Sequence, residues 1–322
     1  MSLEVNELLS GYDLDIKSQK RIRGGILIET GKEYMLFREY SKSPEILPAL
    51  DEFSKEIILN GYSTIDTFCA NANNELLVEY DDKKYVLMTY FNGIECNIRD
   101  EKQILTGVRE LAKIHNALRC IDGSKYNFKE IHIDVMCDKR LRELRKAYAY
   151  VKNKKLKNEF ELMLGNNLRP FIEDGLMAME LLRDTGVYKL ASTANVCYGD
   201  YTYHNVLFNE TFVGLTCWDS ACLGCQLIDL YTYMRKILEK WDYDLKLGEE
   251  MLCAYLEKSQ ESADVRKLMA ALFLYPEKLW KVVNVYFNSK KTNVFKKNMD
   301  KLNMCLAQRE CKNVFAMSLL QR

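Results

Sequence analysis

The stretch CYGDYTYHNVLFNETFVGLTCWDSACLGCQLIDL, residues 197–230, decides how the rest of the chain is interpreted. It holds three polar side chains at fixed spacing: Asn205 follows Asp200 by five residues, and Asp219 follows Asn205 by fourteen. Short strands and turns are predicted around them, at residues 194–197, 206–208, 209–211 and 212–218. Because the predicted hairpin returns the chain to its starting end, we expect Asp219 to come back beside Asp200 and Asn205.

These three side chains are a set that phosphoryl transfer uses. One carboxylate accepts the proton of a substrate hydroxyl, while an amide oxygen and a second carboxylate hold Mg²⁺ against the phosphates of ATP. The spacing therefore makes Asp200 a candidate base and makes Asn205 and Asp219 candidate metal ligands. Asp and Asn also favour turns, because their side chains satisfy local backbone groups. Three turn residues without chemistry are the alternative.

Composition indicates an ordinary enzyme-sized chain. Its 322 residues are 48% hydrophobic, enough for one large domain or two lobes. Lys plus Arg and Asp plus Glu both total 46, so no overall charge draws the chain to nucleic acid or to a membrane. The polar start MSLEVNELLSGYDLD does not resemble a signal peptide, and no apolar run is long enough for a membrane-spanning helix. Eleven scattered cysteines fit reduced core residues of an intracellular protein.

One cysteine pair has the spacing of a metal or redox motif, Cys222-Leu-Gly-Cys225. A structural zinc site needs four ligands, usually from a second such motif or from a histidine pair. The chain has three histidines, and none of them is paired at that spacing. The favoured interpretation is therefore a turn after Asp219, with metal or redox chemistry as the alternative.

Residues 1–92 are predicted to be rich in strands, with one helix. The helix is predicted at 51–59 and ends at Asn60-Gly61. Strands are predicted at 25–30, 34–38, 76–80 and 85–90, and residues 91–93 are predicted to form a hinge.

The remainder of the chain is predicted to be mostly helical. Apolar residues recur at helical spacing between Ile104 and Leu118, and His115 falls on their face, which favours a core histidine. Between Lys139 and Lys157 there are nine basic residues and one acid, Glu143. We interpret this run as a solvated helix face. A docking surface for an acidic or phosphorylated partner is the alternative.

The pattern G-D-x-x-x-x-N followed by a hairpin and D resembles the aminoglycoside- and choline-kinase-like phosphotransferases. Within that fold the chain resembles the CotS-type spore coat proteins of endospore-forming bacteria. The similarity rests on LAKIHNAL (111–118), YGDYTYHNVLF (198–208), WDSACLGCQLIDLYTYMRKILEK (218–240) and YPEKLWKVVNVYFNSKK (275–291). It implies an α+β, bilobal protein-kinase-like fold, with a strand-rich amino-terminal lobe at 1–92 and a helical lobe at 93–322. It also implies synthesis in the mother-cell cytoplasm and a place in the spore coat, with other coat proteins as partners.

The resemblance assigns roles to individual residues. It implies that Asp200 is the catalytic base, that Asn205 and Asp219 bind Mg²⁺, and that Asp229 braces the catalytic loop, although Asp229 could equally be a helix N-cap. It implies ATP as the nucleotide. Residues expected near ATP are Arg23, Gly24 and Gly25 in a loop over the phosphates, Arg38 at the end of the strand predicted at 34–38, and Met88 and Tyr90 beside adenine. Packing in the lobe core is the alternative for Met88 and Tyr90.

The chain departs from the family pattern at three positions. Phe37 occupies the place of the lysine that pairs with the α- and β-phosphates, and Arg38 beside it should face the other way unless a bulge intervenes. Tyr198 replaces the histidine before Gly199, and Ser220 follows Asp219 where the family has phenylalanine or a similar residue.

Two hypotheses therefore remain. The chain is an ATP- and Mg²⁺-dependent phosphotransferase acting on a small hydroxylated molecule or a coat component, or it is a kinase-fold coat protein with little or no catalysis. An enzyme needs a replacement cation from Arg38, Lys32 or Arg23. In a scaffold, Phe37 is expected to pack on the adenine side and partly occlude the nucleotide site.

Overall fold

Strands dominate the first third of the chain and helices the rest. A computed structural model describes residues 2–258, 263–288 and 294–321. The strands are β1 (Ile16–Ile22), β2 (Gly25–Thr30), β3 (Tyr34–Glu39), β4 (Phe68–Cys69), β5 (Val78–Tyr80), β6 (Lys83–Tyr90), β7 (Ile94–Glu95), β8 (Asn195–Cys197), β9 (Val206–Phe208), β10 (Val213–Leu215) and β11 (Cys222–Gly224). The helices are α1 (Ser2–Leu9), α2 (Leu47–Leu59), α3 (Glu101–Arg119), α4 (Ile133–Asn153), α5 (Glu159–Leu182), α6 (Thr185–Ala191), α7 (Leu227–Leu238), α8 (Leu245–Leu256), α9 (Ala263–Leu274), α10 (Glu277–Asn288), α11 (Val294–Ala307) and α12 (Arg309–Ser318).

By its internal contacts the chain divides into two units along a line different from the predicted one. The first unit comprises Met1–Phe128 and Tyr198–Ala221, and the second comprises Lys129–Cys197 and Cys222–Arg322. The lobes 1–92 and 93–322 therefore stay a sequence-based prediction. All three candidate catalytic residues belong to the first unit, because the segment from Tyr198 to Ala221 joins it.

The first unit is built on an antiparallel sheet of order β1-β2-β3-β6-β4, with β5 paired to β6. Strand β3 lies between β2 and β6 in an uninterrupted register, in which Phe37 is opposite both Ile26 and Leu87. Successive side chains of a strand point to opposite faces. Phe37 therefore takes one face of the sheet and Arg38 takes the other.

Phe37 points into an apolar cluster instead of toward the face that carries Asp219. It is 2% exposed, stacks on Tyr85, and packs with Leu9, Tyr12, Ile28, Met35 and Leu87. The expectation that Phe37 lines the adenine side was wrong, and no bulge is needed to bring Arg38 to the face of Asp219. Arg38 is simply the residue of β3 that faces that way.

A second, three-stranded sheet of order β10-β9-β7 carries the candidate catalytic segment in the first unit. The predicted hairpin at 206–218 is present, although its return strand is shorter than predicted and covers Val213–Leu215. The ring of Phe91 fills the space above Gly214, where a Cβ would lie 2.4 Å from the ring. Asn209 donates a hydrogen bond of 3.1 Å to the Asn92 carbonyl. The predicted hinge residues 91–93 are thus bound to this hairpin.

The second unit is mostly helical. Helices α4 and α5 run as a hairpin, and a core cluster combines their apolar residues with those of α10 and α11. Helix α5 begins with a capping box, in which Asn158 and Glu161 each satisfy the other's backbone N–H. The short pair β8–β11 is the second unit's only β-sheet among the residues described. The last three residues of the quoted segment 275–291 lie outside the described residues.

None of the described helices is both long enough and apolar enough to cross a membrane.

Candidate active site

The turn before Asp200 requires glycine. Gly199 has φ of +91°, and a Cβ at that position would lie 1.9 Å from the carbonyl oxygen of Ser220. Any other residue would therefore combine backbone strain with a steric clash. Gly199 precedes Asp200 and Ser220 follows Asp219, so this close approach brings the two backbone segments that carry Asp200 and Asp219 into contact.

Asp200 and Asn205 form a hydrogen-bonded pair. The Asn205 amide nitrogen donates to the Asp200 carbonyl at 2.8 Å and to the Asp200 Oδ2 at 3.3 Å. Its own backbone carbonyl accepts a 3.0 Å hydrogen bond from the Thr216 N–H, which ties this loop to the returning strand. The Asp200 side chain is exposed, which its predicted role as a base would require.

Tyr198, at the position of the family's histidine, is buried and acts as a brace. Its hydroxyl donates a 2.5 Å hydrogen bond to the Thr216 carbonyl, and its ring meets that of Tyr201 edge to face. The Tyr201 hydroxyl in turn donates to the Gly107 carbonyl of α3 at 2.6 Å. Burial raises the pKa of Tyr198 well above its ordinary value, so its hydroxyl keeps its proton and serves as a donor.

Asp219 is buried and held by two cations. The Arg38 Nη2 lies 3.1 Å from its Oδ2, and the Lys42 Nζ lies 3.2 Å from the same oxygen. Lys42 also donates to the Asp219 backbone carbonyl. Burial alone would raise the pKa of Asp219, but the charges of Arg38 and Lys42 outweigh it and hold that pKa below its usual value. Asp219 is therefore ionised at neutral pH.

Two residues of this site were missed by the sequence analysis. Lys42 lies on the loop after β3, where a lysine gives no signal of its own in a single sequence. Asp66 lies in an irregular segment before β4, within Ser-Thr-Ile-Asp-Thr, which resembles an ordinary turn. Only the folded chain brings these residues to the Asp219 segment.

Asp66 supports the turn that presents Asp219. Its carbonyl accepts a 2.6 Å hydrogen bond from the Trp218 indole, and its Oδ2 accepts one of 3.4 Å from the Cys217 N–H. The side chain is 1% exposed, and its Oδ1 is buried without a hydrogen-bond partner among the described residues. Burial is the main cause that raises the pKa of Asp66 to about 7.

The residues predicted near the nucleotide differ in their surroundings. Arg23 is exposed in the β1–β2 turn, where Gly24 has φ of +89° and open space around it. Gly25 lies against β3, so that a Cβ would be 2.4 Å from the Phe37 carbonyl.

Of the pair predicted beside adenine, one residue is buried and one is half-buried. Met88 is fully buried, and its sulfur accepts a 3.3 Å hydrogen bond from the Arg38 Nε. Burial raises the pKa of the half-buried Tyr90 to about 12. Nucleotide contact by these residues stays a prediction.

The donor set suits a hard cation, since Asp219 and Asn205 offer a carboxylate and an amide oxygen of the kind that Mg²⁺ prefers. No cluster of three or more His, Cys, Asp or Glu residues that could hold a metal occurs in the described ranges. The predicted Mg²⁺ ligands remain Asn205 and Asp219. In the second unit, Cys222 and Cys225 belong to β11 and the residue after it, and Asp229 lies inside the first turn of α7, whose N-cap is Gln226.

Solved structures show the fold. An aminoglycoside phosphotransferase from Alicyclobacillus acidocaldarius is 18% identical, with a TM-score of 0.84 over 97% of this chain and 94% of its own. Spectinomycin phosphotransferase APH(9)-Ia, in complex with ADP and spectinomycin, is 15% identical, with a TM-score of 0.67 over 100% and 98%. Choline kinase LicA from Streptococcus pneumoniae is 14% identical, with a TM-score of 0.52 over 95% and 99%. The predicted α+β kinase-like phosphotransferase fold is confirmed.

A family model described as "Spore coat putative kinase YutH" matches residues 5–319. No curated protein matches the chain. Since the family model spans nearly the whole sequence, the predicted resemblance to spore coat proteins of the kinase-like fold is confirmed, and the chain belongs to the YutH family of spore coat kinase-like proteins.

Proposed function

We propose that the chain is an ATP- and Mg²⁺-dependent phosphotransferase that acts on a hydroxylated small molecule or a component of the spore coat. The observation that carries this proposal is the pair of cations on Asp219. The absence of the family's lysine at residue 37 was the strongest argument against catalysis. Arg38 supplies a cation instead, on the face of the sheet that meets Asp219.

Each polar residue then has a role. Asp200 accepts the proton of the substrate hydroxyl, and its hydrogen bond from Asn205 fixes its orientation. Arg38 and Lys42 place two positive charges where the α- and β-phosphates need neutralising, and a guanidinium suits phosphate because it can donate two parallel hydrogen bonds. Bound ATP and Mg²⁺ would supply the phosphoryl group and neutralise its developing charge. Asn205 and Asp219 are the residues that would hold the metal.

The experiment is ATP turnover by wild type and Asp200→Ala, each checked for native folding by circular dichroism. We expect slow phosphate release or transfer by wild type and a loss of two or more orders of magnitude in Asp200→Ala, because each factor of ten in rate corresponds to about 1.36 kcal/mol of transition-state stabilisation. Titration calorimetry with ATP and Mg²⁺ gives a separate readout. A folded protein that shows no heat at millimolar ATP would contradict the proposal.

A second candidate function is assembly of the coat without catalysis, and a surface of the second unit favours it. Helix α4 exposes Lys139, Arg145 and Lys146, none of which has an ion-pair partner among the described residues. The acids beside them are engaged, since Glu143 accepts from the Trp280 indole at 2.7 Å and Glu277 binds Arg140 at 2.5 Å.

This basic surface borders a groove of about 390 Å³ between α4 and α10. Its aromatic residues are Tyr150, Trp280 and Phe287, and Tyr150 and Phe287 meet edge to face at 5.7 Å. Exposed cations around an aromatic groove suit an acidic segment of another coat protein that carries an apolar side chain.

Charge reversal tests this second function. Lys139→Glu, Arg145→Glu and Lys146→Glu together should weaken binding to isolated spore coat material and reduce its sensitivity to salt. The matched control reverses three exposed cations elsewhere, Lys20, Arg21 and Lys296. Equal losses in both triple variants would mean that the α4 surface has no special role.

A further inference from the structure

Cys197 and Cys222 are direct partners in the second unit. Strands β8 and β11 are antiparallel, and their register places Cys197 opposite Cys222, Val196 opposite Leu223, and Asn195 opposite Gly224. Both cysteines are free and buried, at 2% and 7% exposure, and the Cys197 thiol donates a 3.7 Å hydrogen bond to the Asn195 carbonyl. The two sulfurs are therefore neighbours in the folded chain.

The backbone geometry at this pair suits a disulfide. Directly opposite residues of an antiparallel pair have Cα atoms about 4.5–5.5 Å apart, and disulfides join residues whose Cα atoms are about 4.4–6.8 Å apart. The pair is closely packed, since a Cβ at Gly224 would lie 3.0 Å from the Ile131 carbonyl oxygen and 3.8 Å from the Cys197 sulfur. Opposite Cβ atoms lie about 4.5–5.5 Å apart and those of a disulfide about 3.5–4.5 Å apart, so forming the bond draws the two Cβ atoms together by about 1 Å.

The two cysteines lie on either side of the candidate catalytic segment in the sequence. The residues between the two cysteines, 198–221, include Asp200, Asn205 and Asp219. A bond between the two sulfurs would close a covalent ring around every candidate catalytic residue. The ends of the segment would then be tied by a bond as well as by the hydrogen bonds of two short strands.

We propose that Cys197 and Cys222 form an oxidative modification site, in which their two thiols become one disulfide. The co-reactant is a low-molecular-weight disulfide. One thiolate attacks it and releases one small thiol, and the second protein sulfur then displaces the other. The protein loses two electrons and two protons, and one small disulfide is reduced to two thiols.

The groups around Cys197 slow its exchange with a small disulfide, so we expect the bond to form over long times. The interaction with Cys222, followed by burial and the nearby Asp229, raises the pKa of the Cys197 thiol. The thiolate is the attacking species, so a raised pKa slows the attack. The pair therefore stays reduced in a reducing compartment and oxidises only under sustained exposure to the small disulfide. The ring forms whether or not the protein transfers phosphate.

The test treats folded wild-type protein with glutathione disulfide, blocks the remaining thiols with N-ethylmaleimide, and digests at acidic residues. Cleavage at Asp200, Glu210 and Asp219 leaves Cys197, Cys217 and the Cys222–Cys225 pair on three separate peptides. We expect the Cys197 peptide to be linked to the peptide with Cys222, and the intact mass to fall by two hydrogens. A bridge within Cys222–Cys225, a bridge to Cys217, or no bridge in folded protein would each overturn the proposal.

Two variants assign the partner. Cys225→Ala removes an equally buried thiol and should retain the bridge, while Cys222→Ala should lose it. If Cys222→Ala does not fold, the Cys225→Ala map decides alone, because Cys222 is then the only thiol on its peptide. Oxidised protein should also melt several degrees higher than reduced protein, and dithiothreitol should reverse the shift. An unchanged or lower melting temperature would count against the ring.

Discussion

The ring of Phe37 lies nearly parallel to that of Tyr85, with the centroids 5.2 Å apart and an angle of 8° between the planes. This stack belongs to the apolar face of the sheet, so restoring the family's lysine at residue 37 would not restore a phosphate ligand. We expect Phe37→Lys to destabilise the protein by about 3–5 kcal/mol, comparable to the loss of a buried aromatic side chain, and to add no activity. Denaturant unfolding with Phe37→Leu as the conservative control measures the effect. A gain of turnover in Phe37→Lys would contradict the assignment of faces.

The two cations on Asp219 should each contribute to nucleotide affinity. Arg38→Ala should weaken ATP binding by roughly ten- to a hundredfold, since hydrogen bonds to charged groups are worth about 1.5–3 kcal/mol. Lys42→Ala should act in the same direction, and Arg38→Lys should retain part of the affinity. Calorimetry with ATP and Mg²⁺ measures these constants. Lys240→Ala, which removes an exposed lysine of the second unit, is the control. An equal loss of ATP affinity in the control would contradict a specific role for Arg38 and Lys42.

Asp66 should make stability depend on pH. Its pKa is raised from 3.8 to about 7 in the folded protein, so the folded state binds the proton more tightly than the unfolded chain does. Its contribution to stability is complete below the unfolded value and is lost as pH rises through about 7, at up to 1.36 kcal/mol for each pH unit.

Melting temperatures measured between the unfolded value of 3.8 and about pH 7 test this dependence. The wild-type melting temperature should fall across that window, and Asp66→Asn, which keeps a hydrogen-bond acceptor and cannot ionise, should flatten the curve. Asp200→Asn removes an exposed carboxylate and should leave the fall intact. A curve for Asp66→Asn as steep as that of wild type would show that another group is responsible.

Two glycines with similar backbone angles should respond differently to alanine. Gly199→Ala places a methyl group 1.9 Å from the Ser220 carbonyl, while Gly24→Ala meets nothing within 4 Å. Positive φ destabilises both variants by about 1–2 kcal/mol. Only Gly199→Ala must also displace the backbone of Ser220. We expect a clearly larger drop in melting temperature, and a loss of nucleotide-dependent activity, for Gly199→Ala. Equal effects would mean that the loop accommodates the methyl group.

The local elements could be predicted where the pattern itself carries the information. Strand β2 was predicted at its observed bounds, and β9 likewise, because apolar residues and turn signals delimit them. Helix α2 begins at Leu47, four residues before the predicted start, since Pro48 fits the first turn of a helix. Strand β1 was missed because Ile16–Ile22 is largely polar and exposed, so it lacks the alternation that marks a half-buried strand.

The site was predictable only in part. The spacing of Asp200, Asn205 and Asp219 identified a candidate segment, because those residues lie close together in sequence, and their roles stay predictions. The face taken by Phe37 and Arg38 was predicted wrongly, since a one-residue error in aligning a strand reverses every side chain. Lys42 and Asp66 could not be found, because their contacts with the Asp219 segment join parts of the chain that are more than 150 residues apart.

The pairing of Asp219 with Arg38 and Lys42 has a thermodynamic consequence for how ligands arrive. A carboxylate already neutralised by two cations attracts a free divalent ion weakly, and two cations already satisfied by a carboxylate attract a free polyphosphate weakly. When both ligands are present, the phosphates of the nucleotide attract Arg38 and Lys42 and so free the Asp219 carboxylate for the metal. The metal in turn neutralises Asp219 and so frees the two cations for the phosphates. Metal and nucleotide should therefore bind with positive coupling, and by linkage each must raise the affinity for the other by the same factor.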